Sequence, residues 1–375
     1  MDNKFYLEVT HVDPHSNART GILHTWHGDV ETPMFMPVGT NATVKCLTPD
    51  QVKACHSGVV LANTYHLHLR PGEEIVKKAG GLHKFMDYDG PILTDSGGYQ
   101  VFSLSQRRKI SEEGVTFRNE LDGGKEFFSP EVAIKIEEAL GADIIMSFDE
   151  CIPYPSSYEY VKKSTERTVR WAKRGLAAHT RKDQALFGIV QGGAYKDLRE
   201  YCAKELSSLN FPGYSIGGTS IGEPKEACFQ MIKDAIRFLP FDRPRYLMGV
   251  GSIDYILEGI SEGVDMFDCV LPTRLARHGA LLTSHGRVNI QRAQYKEDFT
   301  QLDDECDCYT CTHFTKAYLH HLYRINEGLS NTLNSIHNIR FLIHLAEMAR
   351  VAIKEDRFLE FKQDVYAKFG SKKGF

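Results

Sequence analysis

Three aspartates close three apolar runs. PILTDSGG places Asp95 after Ile92, Leu93 and Thr94, ADIIMSFDE places Asp149 at the end of its run, and VDMFDCVLPT places Asp268 in the same way. An aspartate after a strand commonly caps a helix or serves a turn, and one alone would carry no more than that. Three in comparable positions, joined by Gln191 in LFGIVQGG, predict a polar pocket for a flat ligand. The ends at Gly97-Gly98 and Gly217-Gly218 support this, because glycine removes the side chain and lets backbone N–H groups and a ligand approach closely. Tyr99 and Met248 lie beside these ends and are placed to stack on such a ligand, although residues of these types more often simply pack.

A second constellation is metal-like. Of nine cysteines, six (Cys46, Cys55, Cys151, Cys202, Cys228, Cys269) are scattered without paired spacing, and the odd total argues against a secreted disulfide framework. The other three, Cys306, Cys308 and Cys311, crowd together as Cys-x-Cys-x2-Cys. Three thiolates in a reducing compartment predict structural zinc, which takes a fourth, tetrahedral ligand. His313, His320, His321 and His337 all compete for that place, with spacing leaning to His337 and not deciding. Upstream, no acidic residue falls between Asp268 and Glu297, whereas Arg274, Arg277, Arg287, Arg292 and Lys296 do. A run of charge is usually a solvated face. In a chain of net charge -4, one sign segregated beside a candidate site predicts a phosphate backbone as partner.

These groups need a scaffold that brings distant segments to one rim. Eight apolar runs recur, starting at Met34, Gly58, Pro91, Ala142, Leu186, Tyr214, Arg245 and Val264, each ending in polar or glycine-rich residues. Continuous apolar runs suit strands covered on both faces. Between them lie helical segments. SPEVAIKIEEALG offers Ser129 as N-cap, Pro130 in the first turn and Gly141 as terminator, and the segments after Ser156, Glu223 and Ser252 read similarly. Strand and helix alternating in this way predict an α/β fold of the (β/α)8 TIM-barrel type, with chemistry at the C-terminal ends of the strands. Residues 115–128 read as a hairpin insertion around Asp122-Gly123-Gly124, and residues 297–345 as a zinc-binding subdomain inserted near the C-terminus. The whole chain, 1–375, is expected to form one barrel domain. Its polar N-terminus and the lack of any apolar run of about 18–20 residues predict a soluble, cytoplasmic protein with no membrane partner.

The ordered set TDSGGYQ (94–100), FDEC (148–151), GIVQGG (188–193), GG-x-x-x-GE (217–223), MGVG (248–251), DMFDCVLPTR (265–274) and the cysteine cluster with a late histidine resembles the tRNA-guanine transglycosylases of bacterial type over essentially the whole chain. The resemblance implies a TIM-barrel enzyme that exchanges guanine at the wobble position of tRNAs with GUN anticodons for a 7-deazaguanine base, a step toward queuosine. It implies Asp268 as the nucleophile at ribose C1′ and Asp95 as the general acid/base. Asp149, Gln191 and the Gly218 N–H would read the base, with Ser96 beside them, Tyr99 and Met248 sandwiching it, and Glu223 supporting the adjacent peptide. Arg274 and Arg277, with Arg287, Arg292 and Lys296, would hold the anticodon loop, and one Zn2+ would be bound by Cys306, Cys308, Cys311 and His337. A homodimer is implied on the same ground. One segment departs from the pattern: Thr219, Ser220 and Ile221 stand where bacterial relatives typically read leucine-alanine-valine, on the side of the pocket that takes the substituent of the incoming base. Both the 7-aminomethyl base and queuine therefore stay open.

Two other classes fit these residues less well. A metal-dependent barrel hydrolase of nucleobases needs strand-end histidines, and the strand ends here offer acids, glutamine and glycine. A non-catalytic tRNA-binding paralogue is expected to lose one of the two catalytic acids, and both Asp95 and Asp268 are present.

Overall fold

A computed structural model describes residues 4–104 and 108–369. Positions 1–3, 105–107 and 370–375 of the expected 1–375 domain lie outside the described residues. The eight apolar runs form eight parallel strands: β1 (Met34–Pro37), β2 (Val60–Ala62), β3 (Ile92–Thr94), β4 (Ile144–Met146), β5 (Ala185–Val190), β6 (Gly213–Ile216), β7 (Arg245–Leu247) and β8 (Met266–Cys269). From β2 to β8 each pairs with its neighbour in sequence, and β8 pairs with β1. The ring closes through a parallel bridge between Val38 and Leu61, where the Gly39 N–H donates to the Leu61 carbonyl at 2.6 Å. Helices wrap the outside, so most strand residues are buried on both faces, which explains why the runs do not alternate.

The local signals act as expected. Helix Pro130–Leu140 starts where the Ser129 hydroxyl accepts the Val132 N–H at 3.2 Å and stops at Gly141, whose φ of 76° is the left-handed conformation that ends helices. The hairpin over 115–128 forms as strands Val115–Arg118 and Lys125–Phe128, and Arg108–Ile110 joins it to make three antiparallel strands.

The polar N-terminus hides a sheet that composition did not reveal. Strands Tyr6–Val12, Arg19–Thr25 and Gly28–Thr32 pair antiparallel, and their inward residues Phe5, Leu7, Leu23 and Val30 join Met34, Leu93, Phe187 and Met266 in one buried cluster. The sheet thus stoppers the N-terminal end of the barrel. It is pinned there by Arg19, whose guanidinium donates bidentately to Asp265 just before β8, at 2.9 and 2.6 Å.

The C-terminal part packs back onto β1 and onto the helix that follows the Asp268 strand. After β8 come helix Leu271–Arg277, the antiparallel strands Ala280–Thr283 and Gly286–Asn289, and helices Lys316–Arg324, Gly328–Lys354 and Phe358–Phe369. The long helix Gly328–Lys354 lies against Leu271–Arg277. Its Asn338 amide donates to the Pro272 and Ala280 carbonyls, both at 3.0 Å, and accepts the Leu282 N–H at 2.9 Å. Among the described residues, no helix is long and apolar enough to cross a membrane.

Candidate active site and metal centre

The C-terminal rim of the barrel encloses a cavity of about 660 Å3 lined by Asp95, Asp149 and Asp268. Parallel strands deliver their C-terminal ends to one side, which is why three acids far apart in sequence share this space. Asp268 is held by neutral donors: its Oδ1 accepts from the Tyr246 hydroxyl at 2.5 Å and the Gly249 N–H at 2.6 Å. Its Oδ2 accepts no hydrogen bond among the described residues. Burial raises its pKa to about 6, opposed by those two donors and helped by the nearby Asp95 charge.

Asp95 accepts from three donors, the Asn63 amide at 2.5 Å, the Thr64 N–H at 2.8 Å and the Gln100 amide at 2.8 Å. Burial nevertheless pushes its pKa above the usual carboxylate value. Asp149 accepts from the Ser96 hydroxyl at 3.0 Å and the Gln191 amide at 2.7 Å, and burial raises it to about 6. Three buried carboxylates with no cationic partner in hydrogen-bond contact among the described residues are a costly arrangement. Such arrangements concentrate where acid and base chemistry is done.

The glycines also make room within the protein. A Cβ on Gly98 would lie 2.8 Å from the Asp149 carbonyl and 2.9 Å from its carboxylate, and one on Gly218 would lie 2.3 Å from the Gln191 side-chain oxygen. The space they leave is taken by Asp149 and Gln191, both of which line the cavity. Gly218, at φ 63°, also bends the chain in a way other residues resist.

Of the remaining predicted residues, Ser96, Gln191, Gly218, Tyr99 and Met248 all line the cavity, and Tyr99 is half exposed there. Glu223 does not. Its carboxylate sits behind the loop and accepts the N–H groups of Ser220 and, at 2.9 Å, Ile221. Arg274 and Arg277, on helix Leu271–Arg277, reach the cavity wall, whereas Arg287, Arg292 and Lys296 are exposed beyond it.

Sequence reasoning missed several contributors. Tyr246 is an ordinary strand residue until its partner Asp268 is seen. Arg199 is fully buried and donates to the carbonyls of Gly193 (2.7 Å), Gly217 (3.0 Å) and Gly218 (3.2 Å), clamping the two glycine loops together. A lone arginine among Leu198, Cys202, Ala203 and Leu206 was the signal that could have found it.

The metal-like cluster is also assembled. Ligand atoms of Cys306, Cys308, Cys311 and His337 lie within 4.8 Å of one another, and His337 Nδ1 is 3.6, 3.6 and 3.2 Å from the three sulfurs. His337 Nε2 faces the Leu282 carbonyl at 2.5 Å. A carbonyl only accepts, so Nε2 carries the hydrogen and Nδ1 offers its lone pair to the cluster, as metal-ligating histidines do. The competing histidines are elsewhere: His320 Nδ1 meets the Ile290 carbonyl at 2.7 Å, His313 Nδ1 meets that of Tyr309 at 3.0 Å, and His321 is exposed. Three thiols and one imidazole converging in this way suit a four-coordinate metal ion.

Comparison with known proteins agrees with this geometry. The profile of the family described as queuine tRNA-ribosyltransferase matches residues 13–371. The queuine tRNA-ribosyltransferase of Acetivibrio thermocellus is 59% identical over 359 residues, covering 96% of each chain. That of Thermoanaerobacter sp. (strain X514) is 57% identical over 364 residues, 97% of each chain, and that of Macrococcus caseolyticus 58% identical over 356 residues, 95% of this chain and 94% of its own. With the barrel, the acids on its rim and the Cys3His cluster in place, the chain belongs to the queuine tRNA-ribosyltransferase family.

Proposed function

We propose that this protein exchanges guanine at the wobble position of tRNAs with GUN anticodons (those for Asp, Asn, His and Tyr) for a 7-deazaguanine base, by double displacement through a covalent glycosyl-enzyme. The observation that carries the mechanism is the state of Asp268. Tyr246 and Gly249 fix one oxygen, and the other accepts no hydrogen bond among the described residues, as suits a positioned nucleophile. In the first displacement the Asp268 oxygen bonds to ribose C1′, the C1′–N9 bond breaks, and guanine leaves with a proton supplied by Asp95. In the second, N9 of the incoming base attacks C1′, its proton passes to Asp95, and the Asp268 carboxylate is released. Two inversions give retention at C1′, the logic of retaining glycosidases.

Base reading follows from donor and acceptor types. Asp149 accepts from N1–H and the 2-amino group, and the free N–H of the Gln191 amide and the Gly218 N–H donate to O6. Tyr99 and Met248 cover the faces of the ring. The target nucleotide, in an anticodon loop, is splayed out without opening a duplex. Arg274 and Arg277 meet the loop at the cavity wall, and Arg287, Arg292 and Lys296 extend the basic surface outward.

The donor set of Cys306, Cys308, Cys311 and His337 fits Zn2+, which would act structurally by locking the chain that follows Asp268. Zinc content of the purified protein, one ion per chain, tests this. A single domain that forms a homodimer in the cytoplasm completes the reading, and light scattering at working concentration tests the dimer.

The decisive experiment is trapping. Wild-type protein mixed with tRNA is expected to give an adduct that survives denaturing electrophoresis, and Asp268→Asn none. An undiminished adduct in Asp268→Asn would refute the assignment.

A further inference from the structure

The floor of the barrel holds a cluster that neither the exchange reading nor the Cys3His centre uses. Asp143, buried just before β4, is presented to two imidazoles: its Oδ1 lies 2.7 Å from His27 Nδ1 and its Oδ2 3.1 Å from His83 Nε2. The two rings stack, with centroids 3.6 Å apart and planes 16° from parallel. One candidate ligand atom from each of the three residues lies within 4.8 Å of the other two.

Three separate segments meet here. His27 occupies the turn between strands Arg19–Thr25 and Gly28–Thr32 of the N-terminal sheet, His83 lies on the short helix Leu82–Met86 between β2 and β3, and Asp143 leads into β4. The carboxylate is the fixed member. Its Oδ2 accepts the Ile92 N–H at 2.9 Å, while the Asp143 main chain donates to the Ile92 carbonyl at 2.9 Å and accepts the Ala185 N–H at 2.8 Å. The imidazoles form the open side, with 40% of the His27 side chain and 13% of that of His83 exposed. Among the described residues, the second nitrogen of each ring has no hydrogen-bond partner, so each ring can carry its hydrogen there and turn a lone pair toward Asp143.

Two imidazoles and a carboxylate are a donor set for borderline transition ions, whereas hard cations prefer oxygen alone. A second trio, His285, Asp303 and Asp304, also lies close together. There the Asp303 oxygens are already taken by the Ser284 hydroxyl at 2.6 Å and its N–H at 2.9 Å, whereas Oδ1 of Asp143 meets His27 alone among the described residues.

We propose that His27, His83 and Asp143 form a second metal site, which takes a divalent transition ion such as Zn2+ or Co2+, completes its shell with water, and staples the N-terminal sheet to the barrel floor. The ion replaces the two N–H···O bonds, and the hydrogens are then carried on His27 Nε2 and His83 Nδ1. The stacked rings part to ligate, and His27, exposed on its turn, has the room. With only three protein ligands the site holds its ion more weakly than the Cys3His cluster, so it fills when metal is supplied in excess.

The test uses untagged full-length protein that carries its one Zn2+, dialysed against Co2+. One additional equivalent is expected, with the weak visible absorption of nitrogen- and oxygen-ligated cobalt and no thiolate-to-cobalt charge-transfer band, together with a higher unfolding midpoint. His27→Ala and His83→Ala are each expected to weaken the additional binding at least about tenfold and to abolish the rise in midpoint. His24→Ala, in the same sheet and paired with Asp29, should change neither. The absence of an additional equivalent in the wild type overturns the proposal, as does one that persists in both variants. A loss of stability in His27→Ala that is equal with and without Co2+ overturns it too, since hydrogen bonding alone would then account for the cluster.

Discussion

Two barrel strands carry an aspartate at both ends, and the two ends treat the same side chain in opposite ways. At the floor, Asp143 precedes β4 and Asp265 precedes β8. Asp265 receives a bidentate guanidinium from Arg19 and the Arg245 N–H at 2.7 Å. For Asp143 burial alone would raise the pKa, but His83 at 3.1 Å, His27 at 2.7 Å and the Ile92 N–H at 2.9 Å outweigh it and hold the carboxyl below its usual value. At the rim, Asp149 and Asp268 are also buried but, among the described residues, accept hydrogen bonds from neutral donors alone, and both rise to about 6. A buried acid paired with a guanidinium, as Asp265 is, or with two imidazoles, as Asp143 is, serves as a rivet. One given neutral donors alone keeps an unspent charge, available to a substrate.

The contrast can be broken most severely at the floor. Asp265→Asn leaves the buried Arg19 guanidinium without a counter-charge, and is expected to cost about 3–5 kcal/mol, read as an earlier midpoint in denaturant unfolding. A midpoint equal to wild type would show that the rivet holds nothing. The rim variant should move the other way. Because the folded pKa of Asp268 lies above that of an unfolded aspartate, its charge opposes folding once the pH exceeds about 6, and that penalty vanishes below about 3.8. Asp268→Asn is therefore expected to stabilise the protein by up to about 3 kcal/mol near neutrality, roughly 2–4 °C in Tm, with the gain fading toward about pH 4. A gain independent of pH would separate it from the carboxylate. The smallest effect concerns charge at the surface of each end. Arg274→Ala at the cavity wall should reduce the dependence of log K for tRNA on log salt by about 0.7, while Arg243→Ala near the floor should leave it unaltered. Equal changes in both would mean that the RNA does not prefer the rim.

The rim was legible in the sequence to a degree the floor was not. Strand-end acids, glycine pairs and the Cys-x-Cys-x2-Cys cluster depend on local spacing, and each of Asp95, Asp149, Asp268 and Gln191 is found on the cavity. The rivets depend on pairs such as Arg19 with Asp265, far apart in the chain, and neither member advertises the other. The N-terminal sheet was missed for a related reason: in Tyr6–Val12 the residues at alternate positions are exposed, so averaging over the segment reads as polarity. Tyr246 and Arg199 show the same limit within the site, since their roles lie in what they touch. The fourth cysteine-cluster ligand sits between these cases. Spacing admitted four histidines, and the carbonyl of Leu282 fixes which nitrogen of His337 turns inward.

The stopper of Phe5, Leu7, Leu23 and Val30 has a consequence for traffic. A barrel sealed at its base is a cul-de-sac, and everything that enters must leave by the same doorway. On the exchange reading, expelled guanine and the arriving base share that doorway with the RNA resting across it. The bases must queue, one out before one in, while the RNA stays tethered through C1′. Guanine is then expected to compete with the incoming base for the vacated seat, an order that initial-rate product inhibition reads directly.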